Sequence, residues 1–492
     1  MQKRTKILLI LSVLPALLLA GCSLDDPATP ADLNGPGLED AGARYAAIGN
    51  SLTAGYMDGG LMQAGQAGSY PRLIAQQLGL DDTSFTQPWI KAPGIGAVNT
   101  TTGEVDGVYY FNGAGLARLG STPALDVQST LLLAGTQPVA YHNLGVPGAL
   151  LTDGRNAYSA ATSFGASLTP PSPNPFFDFI NRAALFGNTE VTLAAGPPAV
   201  TTQSTSMHYK AIAKGGALTT VWLGNNDVLG AATGGNPTAA NITDPTAFGV
   251  EYNTMLQTLA GGLLKRNGFP ATIITANIPS VTSAPFFIPT ATFETAIGGA
   301  WPWGFEESNV DYVLFPTLSW VADAGNLGSP IPSTATLTTT EVTTVETAIA
   351  TFNGIILNAT TTLAATEAVP GSGIPLARAA MVDANDLLAG LAAAQKTHFL
   401  LLVGGGMPPA TAAATTAFSL DGIHPNNVGY GIVANAFIAQ LNALEGTSVP
   451  DVDLAGLSWD PTYGVPLTAP TKTDRPYRMT PEDAAGLTAV WR

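Results

Sequence analysis

The chain has 492 residues, enough for one large domain with insertions or for two or three ordinary domains. Hydrophobic residues make up 46% of the sequence and charged residues 11%, well below the roughly 25% charged residues of an average globular protein, so a large core can be buried. The formal net charge of −16 argues against binding to nucleic-acid phosphates, and we expect no nucleic-acid partner.

The first residues have the pattern of an export signal. "MQKRTK" carries positive charges, and the apolar run "ILLILSVLPALLLA" follows it. This run is shorter than the roughly 20 residues that a transmembrane helix needs, and small residues after it are typical of a cleavage site. The sequence therefore predicts a signal peptide over residues 1–21.

The signal ends in "LAGC", which resembles a bacterial lipobox. In such signals, cleavage precedes the cysteine and its sulfur is lipidated. Cys22 is the one cysteine of the chain, so no intramolecular disulfide forms. We expect a lipid anchor at Cys22, a flexible tether over residues 22–42 and an extracytoplasmic protein, with Ser23 favouring the outer membrane. The alternative is an ordinary signal peptide with an incidental cysteine.

Alternating strand and helix patterns follow the tether. Short apolar runs are typical of buried parallel strands, and they lie at residues 44–49, 138–145, 219–224, 271–278 and 378–384. Helical patterns lie between or after them, at residues 69–80, 244–268, 338–365 and 426–444. This alternation predicts an α/β doubly wound domain with a parallel sheet of about five strands. We place that domain at residues 43–445.

Three long segments interrupt this pattern and are read as insertions. They cover residues of about 82–136, 150–206 and 284–335. The last is dense in aromatic residues, including Trp301 and Trp303. Two interpretations remain open for these aromatics: they pack the core of a small subdomain, or they meet an apolar or sugar substrate at the edge of the sheet.

Ser51 is the candidate nucleophile. It lies in "GNSLTAGY", directly after the first predicted strand. Serine is a weak nucleophile that needs a nearby base, a group that orients the base, and donors for the oxyanion. The alternative is a helix N-cap, a position that Ser, Asn and Thr all favour.

His424 is the candidate base among the four histidines. Asp421 lies three residues before it in "DGIHP", so one short turn can place a carboxylate against one ring nitrogen. The alternative is a plain Asp-Gly turn. His142, His208 and His398 have no such partner in the sequence and are interpreted as structural.

Two further strand ends offer oxyanion donors. Gly148 in "NLGVPGA" has a backbone N–H that a substrate can approach closely, and Asn226 in "GNND" has a side-chain amide. Ordinary βα turns rich in Gly and Asn are the alternative for each. The order of serine, glycine, asparagine and Asp/His, each after a different predicted strand, favours a catalytic site.

These four blocks together resemble the SGNH (GDSL-type) hydrolase family. The resemblance implies a flavodoxin-like three-layer α/β/α fold and ester hydrolysis through an acyl-enzyme. It puts Ser51, Asp421 and His424 in the catalytic triad, and Ser51, Gly148 and Asn226 in the oxyanion hole. The sequence departs from the family at Asn50, where an Asp is usual; the amide keeps the size and the hydrogen bonding and loses the charge.

The sequence therefore predicts a lipid-anchored serine esterase or lipase that needs no metal and no cofactor. Two other functions stay open: an O-acetylesterase acting on a polysaccharide or glycoconjugate, and a non-catalytic surface lipoprotein with a binding role. The sequence does not define the oligomeric state. Residues 446–492 are predicted to be an irregular, Pro-rich C-terminal extension.

Overall fold

A parallel sheet forms the centre of the protein. The computed structural model describes residues 44–97, 104–123, 141–181 and 206–462. The strands of these ranges are β1 (Tyr45–Gly49), β2 (Glu104–Asp106), β3 (Tyr109–Phe111), β4 (Leu116–Arg118), β5 (Ser121–Pro123), β6 (Asn143–Gly145), β7 (Leu218–Trp222), β8 (Thr272–Ala276), β9 (Phe287–Pro289), β10 (Val310–Leu314), β11 (Thr336–Thr338) and β12 (Arg378–Val382). Five of them pair in the order β12-β8-β7-β1-β6, and every pair is parallel.

The strand order confirms the predicted fold. Ranked along the chain, the five strands run 2-1-3-4-5 across the sheet, which is the flavodoxin-like order. Every residue of β1, β7 and β8 is buried, as expected for strands covered on both faces. Successive strands are added on one side of β1 (β6) and then on the other (β7, β8, β12), so the strand order reverses beside β1. Ligands of such sheets bind at this point, outside the carboxyl ends of the strands.

Helices cover both faces of the sheet. In chain order they are α1 (Ser51–Ala54), α2 (Gln63–Ala67), α3 (Tyr70–Gln77), α4 (Leu151–Asn156), α5 (Phe176–Ile180), α6 (Met207–Lys214), α7 (Asn226–Thr233), α8 (Pro245–Asn267), α9 (Thr290–Ile297), α10 (Thr317–Val321), α11 (Thr339–Ala365), α12 (Ala384–Ala389), α13 (Phe399–Gly404), α14 (Pro409–Thr415) and α15 (Asn427–Glu445). On one face, α3 and α15 pack with Tyr45 and Ala47 of β1. On the other, α6, α8 and α11 pack with Ala46 and Ile48, the alternate residues of that strand.

The long helices begin and end at residues that suit helix termini. Asp244 caps α8, because its side chain accepts a hydrogen bond from the backbone N–H of Ala247, and a proline follows it as the first helical residue. Gly268 ends that helix at φ 79°. At the start of α11, Thr338 and Glu341 form a capping box. These local signals explain why the predicted helices at residues 244–268 and 338–365 lie within a residue of the observed bounds.

The insertions contain more regular structure than the sequence indicates. In the first, β2 pairs with β5 and β3 pairs with β4, both antiparallel. In the third, β9, β10 and β11 form a small antiparallel sheet. Phe287, Phe293 and Phe315 of this insertion are buried in the main core cluster, so these aromatics pack a subdomain.

One helix of the described ranges, α11, is long and apolar enough to cross a membrane by length and composition. It packs along α8 and beside β12 in the outer layer of the domain. The predicted signal peptide, Cys22 and most of the tether lie outside the described residues, as does the end of the C-terminal extension from residue 463.

Candidate active site

Ser51 lies at the carboxyl end of β1, where the chain turns directly into α1. Asn50 caps this short helix, because its Oδ1 accepts from the backbone N–H of Leu52 at 3.1 Å. Ser51 is therefore the first helical residue and not the cap, so helix capping does not account for it. It is 1% exposed and lines a cavity at this edge of the sheet.

Asp421 and His424 form a buried pair on the loop before α15. Oδ2 of Asp421 lies 2.9 Å from Nδ1 of His424. The other oxygen, Oδ1, accepts from the backbone N–H groups of Ile423 (2.9 Å) and His424 (2.8 Å). The turn requires a left-handed residue, and Gly422 provides it at φ 73°. The Asp-Gly turn thus also serves to hold the histidine.

The carboxylate of Asp421 is stabilised in its charged form. Burial raises its pKa, but the attraction of His424 and the hydrogen bonds from His424 and Ile423 outweigh burial and lower the pKa to about 2. A further donor comes from a distant loop: the backbone N–H of Gly59 donates to Oδ2 at 2.9 Å. An ionised Asp421 fixes His424 with its proton on Nδ1.

Asn226 and Gly148 lie on two adjoining loops at the same edge. Asn226 is the first residue of α7, and its Nδ2 donates to the carbonyl oxygen of Ala149 at 2.9 Å. Gly148, directly before Ala149, has φ 75°, a conformation that favours glycine. The neighbouring Asp227 accepts from the backbone N–H of Leu151 at 2.9 Å, which ties the two loops together.

One cavity joins most of these residues. The space in it that a water-sized sphere can reach is about 100 Å³. Its polar lining includes Ser51, Asn226 and His424, whereas Gly148 and Asp421 are not among its lining residues. Most of its remaining lining is apolar: Leu52, Trp222, Leu229, Pro279, Val281, Ala284, Ala384, Leu387, Leu388, Leu391, Ala417, Phe418, Ile423, Pro425, Gly429, Ile432 and Val433.

The other three histidines lie outside this cavity. His208 bonds to Oγ1 of Thr258 at 3.0 Å, and burial lowers its pKa to about 3. His142 lies 2.9 Å from Oγ1 of Thr86. His398, which has no evident partner in the sequence, lies with its Nε2 at 3.0 Å from the carbonyl oxygen of Leu420. It thereby supports the loop that carries Asp421.

The aromatic insertion contributes little to the cavity. None of the aromatic residues in the range 286–320, all of which the structure describes, lines it. Of the two interpretations left open for these aromatics, the packing of a subdomain core is the one that their burial supports. Sequence reasoning also missed Asn225, which lines the cavity beside Asn226, and Gly59. "DGG" at residues 58–60 signals a turn, but no local signal indicates which loop that turn contacts.

Within the described ranges, no group of three or more His, Cys, Asp or Glu side chains could hold a metal ion. A family model described as GDSL-like Lipase/Acylhydrolase matches residues 45–437. No curated protein and no solved structure matches the chain. The matched range contains the four sequence blocks and confirms the family resemblance drawn from them.

Proposed function

Since the chain belongs to the GDSL-like lipase/acylhydrolase family, and so to the hydrolases that act on esters, we propose that it is a serine esterase whose nucleophile is Ser51. The observation that carries this proposal is the shared cavity. Ser51 and His424 both line it, and Asp421 is bonded to the ring nitrogen of His424 on the far side. A serine nucleophile needs a base that a carboxylate orients, and the Asp421–His424 pair beside the same cavity supports that role for His424.

The reaction proceeds in two halves. His424 takes the proton of Ser51 Oγ as the oxygen attacks the ester carbonyl, and it then gives that proton to the leaving alcohol as the C–O bond breaks. This leaves an acyl group on Ser51. Water then attacks the acyl-enzyme, His424 takes its proton, and the proton returns to Ser51 as the carboxylic acid leaves.

We assign the oxyanion to three donors, of which Ser51 and Asn226 line the cavity and Gly148 lies on the adjoining loop. The backbone N–H of Ser51 lies at the start of α1, and the backbone N–H of Gly148 lies on the adjoining loop. Nδ2 of Asn226 has two hydrogens, of which one is used by Ala149, so the second can donate to the oxyanion. Removing a single donor of this kind typically costs about 10²–10³-fold in kcat.

The cavity lining favours aliphatic acyl esters over acetylated glycans. Leucine, isoleucine and valine side chains from α1, α7, α12, α15 and the loops between helices make up much of the walls. Such walls gain free energy when an alkyl chain replaces water, at roughly 25 cal/mol per Å² of buried apolar surface. The aromatic residues of the insertion lie elsewhere, and Trp222 and Phe418 are outnumbered by aliphatic side chains in the lining, so an O-acetylesterase has less support.

The location of the enzyme is a separate part of the proposal. The N-terminal pattern supports cleavage before Cys22, lipidation of its sulfur and attachment to an extracytoplasmic membrane face, with the outer membrane favoured by Ser23. Incorporation of an alkyne-labelled fatty acid tests this. We expect labelling that a Cys22→Ala variant abolishes, and labelling that persists in that variant would contradict the anchor.

The central test compares two full-length proteins in detergent, the wild type and the Ser51→Ala variant. The assay is hydrolysis of p-nitrophenyl esters from acetyl to palmitoyl, together with covalent labelling by a fluorophosphonate probe. Ser319→Ala, outside the cavity, is the matched control. We expect activity and labelling in the wild type and the control, and neither in Ser51→Ala.

Each other outcome selects a different function. Labelling of Ser51 with no activity on any p-nitrophenyl ester would favour the O-acetylesterase, to be tested on an acetylated glycan. No labelling of a folded wild-type protein would favour the non-catalytic lipoprotein. Full activity of Ser51→Ala would show that the nucleophile is wrongly assigned.

A further inference from the structure

Asn225 carries a side-chain amide that the catalytic proposal does not use. The residue is 5% exposed and lines the cavity together with Ser51 and Asn226. Within the described ranges, neither the nitrogen nor the oxygen of its amide has a hydrogen-bond partner. Buried polar side chains are nearly always paired, so two unpaired atoms on one buried amide require an explanation.

Local structure does not explain this amide. Asn225 precedes α7 as its cap residue, but its side chain accepts no hydrogen bond from that helix. Asp227 is bonded to Leu151, and the Asn226 amide is bonded to Ala149 through its nitrogen, although its oxygen has no partner in the described ranges. A leucine at this position would fill a similar volume without leaving polar atoms unpaired, so folding alone gives no reason for an asparagine.

The position of Asn225 places it beside the reacting atoms. Its Cα is one residue, about 3.8 Å, from that of Asn226, whose amide is proposed to bind the oxyanion. Asn50, next to Ser51, also lines the cavity, and its Nδ2 has no hydrogen-bond partner in the described ranges. The unpaired amides therefore lie at the polar end of an otherwise apolar chamber.

The charges of the lining define the class of group that these amides bind. No Lys, Arg, Asp or Glu is among the residues that line the cavity in the described part of the chain. A phosphate, carboxylate or ammonium group would therefore be buried without a countercharge, which is unfavourable. An amide both donates and accepts, and a neutral hydroxyl does the same.

We propose that Asn225 is a specificity-determining residue that binds a hydroxyl group adjacent to the scissile ester. This rests on the proposed function, because it concerns the substrate of the same cavity. The hydroxyl lies either on the acyl chain or on the alcohol. The enzyme then prefers hydroxylated esters over isosteric esters that lack the hydroxyl, because only the former pair the buried amide.

Two matched pairs of esters distinguish the sources of the hydroxyl. Ethyl 3-hydroxybutyrate against ethyl 3-methylbutyrate reports on the acyl side, and 2-hydroxyethyl butyrate against propyl butyrate reports on the alcohol side. Hydrolysis is followed by titration of the released acid with the full-length enzyme. We expect a preference of about tenfold in kcat/KM for the hydroxylated member of one pair, as expected for the pairing of a buried amide.

Asn225→Leu should bring that ratio close to one, since leucine has no hydrogen-bonding group. Asn225→Ala provides the same measurement if the leucine variant does not fold. The matched control is Asn358→Leu, at an exposed position of α11 outside the cavity, which should keep the wild-type ratio.

Two outcomes would overturn the proposal: a wild type with no preference in either pair, or a preference that both Asn225 variants retain. In either case, Ser51-dependent hydrolysis of the esters would leave the proposed function standing. A wild type that hydrolyses no ester would overturn both.

Discussion

The indole Nε1 of Trp459 donates a hydrogen bond to Oδ2 of Asp58 at 3.1 Å, across 401 residues of the chain. Asp58 is buried in a left-handed conformation, φ 57°, and its Oδ1 accepts from the backbone N–H of Leu420 at 2.8 Å. The next residue, Gly59, donates to Asp421. The segment after α15 therefore supports the loop that carries the acidic member of the candidate triad.

Trp459→Phe should destabilise the protein, because Asp58 loses one donor while its carboxylate stays buried. We expect a loss of about 1–3 kcal/mol in the free energy of unfolding, measured by urea denaturation followed by far-UV circular dichroism. Trp303→Phe is the control, since that side chain is 41% exposed and should change stability by less than about 0.5 kcal/mol. Equal effects of the two substitutions would show that the Trp459 hydrogen bond contributes nothing.

Asp421→Asn should remove most of the activity, and far-UV circular dichroism checks that the variant folds, since its amide nitrogen replaces an oxygen that accepts hydrogen bonds. The amide cannot hold the proton of His424 on Nδ1 as the ionised carboxylate does, and it stabilises the imidazolium less. We expect kcat to fall by about 10³–10⁴-fold on a p-nitrophenyl ester. Asp386→Asn, at an exposed position of α12, should keep wild-type activity. A fall of less than tenfold for Asp421→Asn would exclude Asp421 from the triad.

Gly422→Ala should reduce both stability and activity. The residue has φ 73°, and a Cβ there would come within 2.9 Å of the His398 ring and 3.1 Å of the Phe286 backbone nitrogen. The turn must therefore shift, and Asp421 and His424 shift with it. Thermal denaturation and ester hydrolysis measure the two effects.

Gly446→Ala separates backbone strain from displacement of the site. This glycine also has a positive φ, 66°, but a Cβ there would meet nothing within 4 Å. It should lose about 1–2 kcal/mol of stability from the left-handed conformation alone and keep its kcat. If Gly422→Ala behaves in the same way, the turn does not position the catalytic pair.

Asp227→Asn should change the pH dependence of stability. Burial raises the pKa of Asp227 to about 7, a shift that its hydrogen bonds reduce and Asp153 increases. The carboxyl of the unfolded chain titrates near pH 3.9. The free-energy cost of ionising Asp227 in the folded protein is therefore absent below about pH 4 and fully present above about pH 7. The variant lacks this cost.

Relative to wild type, Asp227→Asn should therefore gain roughly 2 kcal/mol between about pH 5 and pH 7. Urea unfolding of both proteins at several pH values gives this difference directly. Burial lowers the folded-state pKa values of His208 and His398, so their contribution to stability changes with pH in the opposite direction. Both proteins contain these histidines, and the difference between them cancels that contribution. Parallel stability curves for the two proteins would contradict the raised pKa.

Leu388→Trp should shift the chain-length preference toward shorter acyl groups, because the larger side chain fills part of the apolar cavity. We expect kcat/KM for the longest accepted p-nitrophenyl ester to fall at least about tenfold more than that for the acetyl ester. Leu357→Trp, 51% exposed on α11, is the control. A uniform loss across all chain lengths would place the acyl chain elsewhere.

The sequence predicted the parts of the fold that local pattern determines. Buried parallel strands read as apolar runs, so the strands at residues 44–49 and 271–278 were located within two residues of β1 and β8. The second strand was predicted too long, since β6 covers only Asn143–Gly145 in the described residues. The short strands β2–β5 and helices α12–α14 were missed because each is too short to show a period.

The candidate site also has residues that local sequence pattern identifies and residues that only the fold brings to it. Ser51, Gly148, Asn226 and the Asp421–His424 pair each follow a strand or a turn signal, so local pattern could identify them. Their roles remain predictions. The contacts of Asp58 and Gly59 connect residues more than 360 positions apart, and no local signal encodes such partners. Asn225 is similar, because its unpaired amide becomes evident only once burial is known.

The hydrogen bonds from Gly59 to Asp421 and from Trp459 to Asp58 join the first loop of the domain to its last segment. This connection has a consequence for the order in which the site is assembled. A nascent chain can complete β1 and expose Ser51 long before residues 419–459 are synthesised. On the proposed assignment, the serine has neither its base nor the support for that base until this last segment contacts the first loop. The same assignment makes ester hydrolysis the last property that the folding chain acquires, and a chain that ends before residue 419 would lack it.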